Sequence, residues 1–371
     1  MKKALVHDWY YVNGGAEKVI NSFNNIWSDF DHFALIDFLS DKDRKYILNG
    51  NNVHTSFIQK LPSAKKNHRK FLQLFPYAVE QFDLREYDLV LSSSASIAKG
   101  VLTNQNQLHI CYCHSPMRYA WDLYHQYLKE SKLNKGIKSI YAKYVLHNLR
   151  VWDIISTNRV DFFIANSQYI ANRINKLYRR EATVIYPPVD TDSFTLNEAK
   201  EDFYFTASRM VPYKKIELVV KAFNEMPERQ LKVAGDGPEF KKIRKIANSN
   251  IEILGFVESE KLKEYLQKAK AFVFAAEEDF GILPVEAQAC GTPVIAYERG
   301  GVSESVILNK TGTFFKKQTI EHIIDAVKRF ELMKFDYQEI RDNALRFSKK
   351  RFEKEIKEFV ERKYEDFKKG N

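Results

Sequence analysis

Short apolar runs alternate with amphipathic stretches along almost the whole chain, and few architectures accept that rhythm. Residues 4–6, 33–36, 89–91, 108–112 and 162–165 read as buried strands with helical patterns between them. After Tyr186-Pro-Pro-Val189 the rhythm restarts at residues 203–207, 231–234, 251–254, 271–275, 294–296 and 313–315. Strands that are apolar throughout and separated by helices are buried on both faces, which requires parallel sheets covered by helices on each side. Two consecutive prolines continue neither element. The chain of 371 residues is long enough for two domains. We therefore expect an α/β protein of two Rossmann-like, doubly wound domains, residues 1–188 and 189–349.

Two further segments read as helical. Residues 350–369 carry Phe352, Ile356, Phe359, Val360, Tyr364 and Phe367 at i, i+4, i+7 spacing. Residues 117–152 form a stretch dense in Tyr, Trp, Leu, Lys and His, expected as one long helix.

Composition excludes several classes. With 44% hydrophobic and 29% charged residues, the chain is neither disordered nor fibrous. Cys111, Cys113 and Cys290 cannot make a disulfide framework, and no Cys or His spacing completes a zinc site. Lys2 and Lys3 precede only three apolar residues before His7 and Asp8, too few for a signal-peptide core. No run approaches the ~18 apolar residues of a membrane span. These features fit a cytoplasmic protein.

The net charge of +10 suits an anionic partner. Nucleic acid is disfavoured, since no helix-turn-helix, zinc-finger or RNA-binding signature accompanies the charge. An anionic membrane surface or a phosphorylated substrate fits better, and a solvated face equally explains the basic stretch over residues 44–79. Residues 44–79 hold seven basic side chains and no carboxylate, and combine Lys60, Lys65, Lys66, Arg69 and Lys70 with Phe71, Leu72, Leu74 and Phe75. Residues 129–150 hold six basic side chains against Glu130 alone.

The most informative stretch for chemistry is Phe274-Ala-Ala-Glu-Glu-Asp-Phe-Gly-Ile-Leu-Pro-Val-Glu286. A strand ends, an acidic loop follows, and Pro284 marks a first helical turn. Backbone N–H groups of Phe280, Gly281 and Ile282 then lie at a helix N-terminus at the carboxyl end of a parallel strand. Orphan N–H groups and the helix dipole both favour an anion there. Glu278 lies at the loop mouth, and Glu286 is expected in the helix's first turn, where dipole complementation also explains a carboxylate. Upstream, Arg209 and Lys214 flank a loop leaving a strand; together they can hold a diphosphate, although each alone reads as solvated surface. Gly235 belongs to an Ala-Gly-Asp-Gly-Pro turn. Gly14 and Gly15 open the first helix in a loop that is not a dinucleotide fingerprint.

Together these elements resemble the family 4 retaining glycosyltransferases. The resemblance rests on E-x-F-G-x-x-P-x-E at residues 278–286, S-R-x-x-x-x-K at 208–214, the G-D-G-P turn and the N-terminal G-G-x-E loop. The stretch Cys113-His-Ser-Pro-Met-Arg-Tyr-Ala-Trp-Asp-Leu-Tyr124 looks like bacterial mannosyltransferases that build O-antigen, lipopolysaccharide and other surface polysaccharides. The resemblance implies a GT-B architecture, two Rossmann-like domains facing a cleft, with residues 350–371 crossing back to the first. It implies a hexose donor, GDP-mannose first and a UDP-hexose second, and a polyprenyl-linked glycan acceptor at the inner face of the cell membrane.

The resemblance also distributes roles. Arg209 and Lys214 neutralise the diphosphate, and Glu286 binds the ribose. Glu278 and the backbone of Phe280, Gly281 and Ile282 address sugar and phosphate, with Gly14, Gly15 and Gly235 lining the donor site. His114 matches a histidine near the donor hexose; on its own it reads as a core or capping residue. Lys215 stands where the family often has glycine, leaving Lys214 preferred on spacing with Lys215 as the alternative, and Ser303 replaces a common proline before Glu304, which makes Glu304 the weaker site candidate. The acceptor attacks the face the diphosphate leaves, and a phosphate oxygen takes its proton. Three D-x-D pairs, Asp29/Asp31, Asp41/Asp43 and Asp190/Asp192, follow no strand of the phosphate-binding half, so metal-independent transfer without a cofactor is expected. A sugar-nucleotide epimerase on the same fold is the alternative.

Overall fold

A computed structural model describes residues 1–370. The first sheet contains β1 (Lys3–His7), β2 (Phe30–Ala34), β3 (Val53–Thr55), β4 (Leu89–Ser94), β5 (Leu108–Cys113), β6 (Phe162–Ala165) and β7 (Ala182–Val184). Their order is β3-β2-β1-β4-β5-β6-β7, and neighbouring strands pair in parallel. The second sheet contains β8 (Phe203–Ala207), β9 (Gln230–Ala234), β10 (Ile251–Gly255), β11 (Ala271–Phe274), β12 (Val294–Tyr297) and β13 (Gly312–Phe315). Its order is β10-β9-β8-β11-β12-β13, again parallel.

Side chains alternate across each sheet, so each strand feeds two cores. In the first sheet Ala4, Val6 and Val90 enter one cluster while Leu5, Leu89 and Leu91 enter another. In the second, Tyr204, Val233 and Val273 lie on one face and Phe203, Phe205, Phe272 and Phe274 on the other. This two-sided burial explains why the strands are legible as continuous apolar runs.

The chain divides into one unit of Met1–Tyr186 with the last helix from Phe352 onward, and a second of Pro187–Arg351. The last helix, Lys349–Gly370, buries Phe352, Ile356, Phe359 and Val360 in the first unit's core. There the Phe352 ring lies 5.9 Å from Phe23 and 5.7 Å from Tyr112.

Three details differ from the expectations. Strands β3 and β7 were not foreseen; each has three residues and a partly exposed pattern, typical of short edge strands. The expected single helix over residues 117–152 is two, Tyr124–Glu130 and Ile137–Ser156, because Lys132 (φ 56°) and Gly136 (φ 77°) adopt left-handed conformations between them. Phe75 is buried, and Phe71, Leu72 and Leu74 pack against the same core, so the apolar half of the face expected over residues 44–79 points inward. Lys60, Lys65, Lys66, Arg69 and Lys70 remain exposed.

Candidate active site

In each sheet the strand order reverses once, between β1 and β4 in the first and between β8 and β11 in the second. Loops leaving the carboxyl ends of such strands diverge and open a crevice, the usual ligand position in open α/β sheets. The residues singled out from sequence gather at these points.

In the second unit, Arg209 and Lys214 follow β8 while Glu278, Phe280, Gly281 and Ile282 follow its partner β11. Lys214 Nζ forms an ion pair with Glu278, both side chains being mostly shielded. Arg209 is exposed on the same loop. Lys215 caps the next helix with φ 60°, a left-handed conformation that accounts for glycine being common at that position. Lys215 lines a surface hollow with Glu217, Leu218 and Lys242, whereas Lys214 is the lysine paired with Glu278.

The helix Ile282–Ala289 begins at Gly281 (φ 89°) and has Pro284 in its first turn, where a missing N–H costs nothing. Glu286 lies one turn further in and is 4% exposed. The dipole effect fades beyond the first turn, so dipole complementation does not explain this carboxylate. Phe280 is anchored against Phe347, ring centroids 5.5 Å apart.

Two glycine turns hold these loops from behind. A Cβ on Gly301 would lie 2.4 Å from Phe280 Cα, and Gly301 N–H donates to the Glu278 carbonyl at 2.9 Å. A Cβ on Gly235 would lie 1.9 Å from the Ser208 carbonyl oxygen, and Met210 N–H donates to the Asp236 carbonyl at 2.8 Å. The G-D-G-P turn thus braces the Arg209 loop through its backbone. Glu304 follows the Gly301 turn in the short helix Val302–Ser305.

In the first unit, His114 follows β5 with its N–H donating to the Ser94 carbonyl at 2.8 Å. Its Nε2 lies 2.8 Å from Ser93 Oγ, and Asn166 Nδ2 donates to its carbonyl at 2.9 Å. Burial, with the nearby His7 charge, pushes its pKa down to about 3, so the ring is neutral. Gly14 caps the first helix and donates its N–H to Glu17 Oε2 at 3.1 Å, with Gly15 next in the helix.

Sequence reasoning missed the residues that link these two points. His7 ends β1, with Nδ1 3.1 Å from both the carbonyl and Oγ of Ser93 and Nε2 3.7 Å from Glu17 Oε1. Burial opposes its charge, but the Glu17 carboxylate and Asp8 outweigh burial and raise its pKa. A charged His7 must donate from both nitrogens, so Ser93 is left with its one proton for His114 Nε2. Asp8 beside it accepts N–H bonds from Ala95, Ile97 and Ala98 at 2.7–2.8 Å, fixing the loop after β4. The only signals in sequence were a His-Asp pair closing an apolar strand and the glutamate of the G-G-x-E loop.

Five of the six aspartates of the D-x-D pairs have protein partners. Asp29 pairs with Lys3, Asp31 accepts from Tyr87, Asp43 joins Ser40, Asp190 joins Ser193 and Asp192 pairs with Lys350. Among the described residues no group of three or more His, Cys, Asp or Glu side chains gathers as metal ligands.

The family profile "Glycosyltransferase Family 4" matches residues 14–193, and "Glycosyl transferases group 1" matches residues 189–347. An uncharacterized glycosyltransferase of Methanocaldococcus jannaschii is 30% identical over 204 residues, 53% of this chain and 56% of that protein. A GDP-mannose-dependent alpha-(1-6)-phosphatidylinositol monomannoside mannosyltransferase of Mycobacterium tuberculosis is 28% identical over 43% of this chain and 50% of its own length. The chain thus spans about half the length of these curated relatives. The crystal structure of HepE from Anabaena with UDP-glucose superposes over 97% of this chain and 99% of its own, with a TM-score of 0.69 at 18% identity. With both sheets matched and two family profiles running through residues 14–193 and 189–347, the chain belongs to the family 4 glycosyltransferases and has their GT-B-type α/β fold.

Proposed function

We propose that this chain is a retaining hexosyltransferase that moves a sugar from a nucleotide donor to a surface glycan. The observation that carries this reading is the meeting of Arg209, the Lys214–Glu278 pair and the N-terminus of the helix Ile282–Ala289 at one strand-order reversal. That set supplies cationic groups and backbone donors to a leaving diphosphate. Charge on the diphosphate grows as the glycosidic bond breaks, so these groups act most strongly in the transition state. The buried Glu286 is assigned to the ribose hydroxyls, and the neutral His114 to recognition of the sugar.

Retention follows when the acceptor approaches the face from which the diphosphate departs and a phosphate oxygen takes its proton. Glu278 then orients Lys214 and forms no covalent sugar. This differs from retaining glycosidases, which set two carboxylates ~5 Å apart across the anomeric carbon. With the diphosphate charge met by protein groups, the reaction proceeds without metal or cofactor. GDP-mannose is the proposed donor, supported by the mycobacterial relative; the UDP-glucose complex of HepE favours a UDP-hexose as second reading. The proposed acceptor is polyprenyl-linked and held at an anionic membrane surface on the cytoplasmic side. The test is incubation with each donor and a lipid-linked glycan, with NMR of the new linkage. Retained anomeric configuration with diphosphate release supports the reading; inversion, or epimerised donor with no transfer, overturns it.

A further inference from the structure

The helix Ile137–Ser156 is apolar on both sides. Val145, Leu146 and Leu149 face the first unit's core. On the opposite side Ile137, Ile140, Tyr141, Tyr144, Val151 and Ile155 recur at i, i+3, i+4, i+7 spacing, and all are exposed, Ile137 by 86%, Ile140 by 70% and Tyr144 by 64%. A surface helix ordinarily turns charged and polar residues outward, and an apolar stripe there, interrupted only by exposed His147 and Asn148, marks a contact site.

What surrounds the stripe identifies its partner. Lys132, Lys135, Lys138 and Lys143 are exposed along and just before it. The helix's one carboxylate, Asp153, is buried and paired with Lys99. Two copies meeting through this face would bring lysines against lysines with no acid on the helix to answer them. An anionic lipid surface answers all of them, while isoleucine and tyrosine side chains enter the headgroup boundary. No helix among the described residues is long and apolar enough to cross a membrane, so the helix would lie along the surface.

We propose that the outward face of the helix Ile137–Ser156 docks the protein on anionic bilayers. This rests on the reading above that the acceptor is membrane-held, and it moves the docking face away from Phe71–Phe75, whose side chains are core. The exposed lysines at 60, 65, 66 and 70 contribute at most long-range attraction.

Sedimentation of the full chain with phosphatidylcholine vesicles, with and without phosphatidylglycerol, tests the proposal at low and high salt. The wild type should pellet with phosphatidylglycerol vesicles at low salt and be released by salt. Combining Ile137→Ser, Ile140→Ser and Tyr144→Ser should lower partitioning on the order of tenfold or more. Lys135→Glu with Lys138→Glu and Lys143→Glu should abolish the phosphatidylglycerol dependence. Lys65→Glu with Lys66→Glu and Lys70→Glu should change it far less. A wild type that stays in the supernatant overturns the proposal, as does a serine variant that pellets unchanged. So does a lipid-free dimer that the serine variant dissolves, since the stripe would then be a self-contact. Donor hydrolysis in solution reads the transferase assignment separately and should be equal in wild type and serine variant.

Discussion

Lys214 and Glu278 form an ion pair between loops that leave the adjacent strands β8 and β11, so the cation assigned to the diphosphate is held by a carboxylate. A diphosphate arriving at Lys214 meets the negative charge of Glu278 as well. Glu278→Gln should therefore tighten nucleoside diphosphate binding, by ~1 kcal/mol or about fivefold, while turnover falls because Lys214 loses its orienting partner. Calorimetry alongside initial rates checks the opposite signs. Weaker binding together with slower turnover would make Glu278 a donor ligand in its own right.

When His7 Nδ1–H donates to Ser93 Oγ, the Ser93 proton goes to His114, and the expected His114 tautomer has its proton on Nδ1 with Nε2 accepting. Nitrogen NMR of histidine-labelled protein should show that tautomer in the wild type and a mixture in Ser93→Ala. Turnover in the variant should drop about fivefold, the equivalent of one hydrogen bond of ~1 kcal/mol, with diphosphate affinity unchanged. A single tautomer persisting in Ser93→Ala would remove the hydroxyl from this role.

Acid sensitivity is built into the first sheet. His32 is buried on β2 with neither ring nitrogen hydrogen-bonded among the described residues, and burial lowers its pKa to about 4. A group depressed in the folded state binds its proton more readily unfolded, so stability falls as pH drops below about 6.5 and levels off once the folded value is passed. This one ring costs about 3 kcal/mol by pH 4. His32→Leu should make urea-unfolding stability fall less steeply over that window, the remaining slope coming from His68, His109 and His114, whose values burial also lowers. His7 has the reverse sign: its raised pKa lends stability at low pH that is lost as pH rises through the folded value. An unchanged slope in His32→Leu would contradict the assignment.

Turnover should survive chelation, because Arg209, Lys214 and helix N–H groups meet the diphosphate charge. Activity after EDTA treatment should equal that of the untreated protein. Complete loss restored by magnesium or manganese would show that the reaction needs a divalent ion.

The sheets, and the loops proposed to hold the donor, were legible in sequence for a common physical reason. Parallel strands buried on both faces are mostly apolar, and the loops at their carboxyl ends carry polar residues and glycines, such as Arg209, Glu278 and Gly281, at short offsets from the strand. What escaped depended on distant residues meeting. His7 and Ser93 are 86 positions apart and become neighbours only because β1 pairs with β4. The inward turn of Phe71–Phe75 and the outward face of Ile137–Ser156 have similar composition, and only packing separates core from contact surface. The break at Lys132 and Gly136 lay hidden because one left-handed lysine carries no local signature.

The central claim is that the second unit holds the donor nucleoside diphosphate, its phosphates at Lys214 and its ribose at Glu286, and titration calorimetry tests it most directly. Lys214→Ala and Glu286→Ala should each weaken binding of GDP or UDP by roughly 1.5–3 kcal/mol, since each deletes a hydrogen bond involving a charged group. Each loss should fall on the same diphosphate that the wild type prefers. Wild-type affinity in both variants would contradict the site and the function built on it.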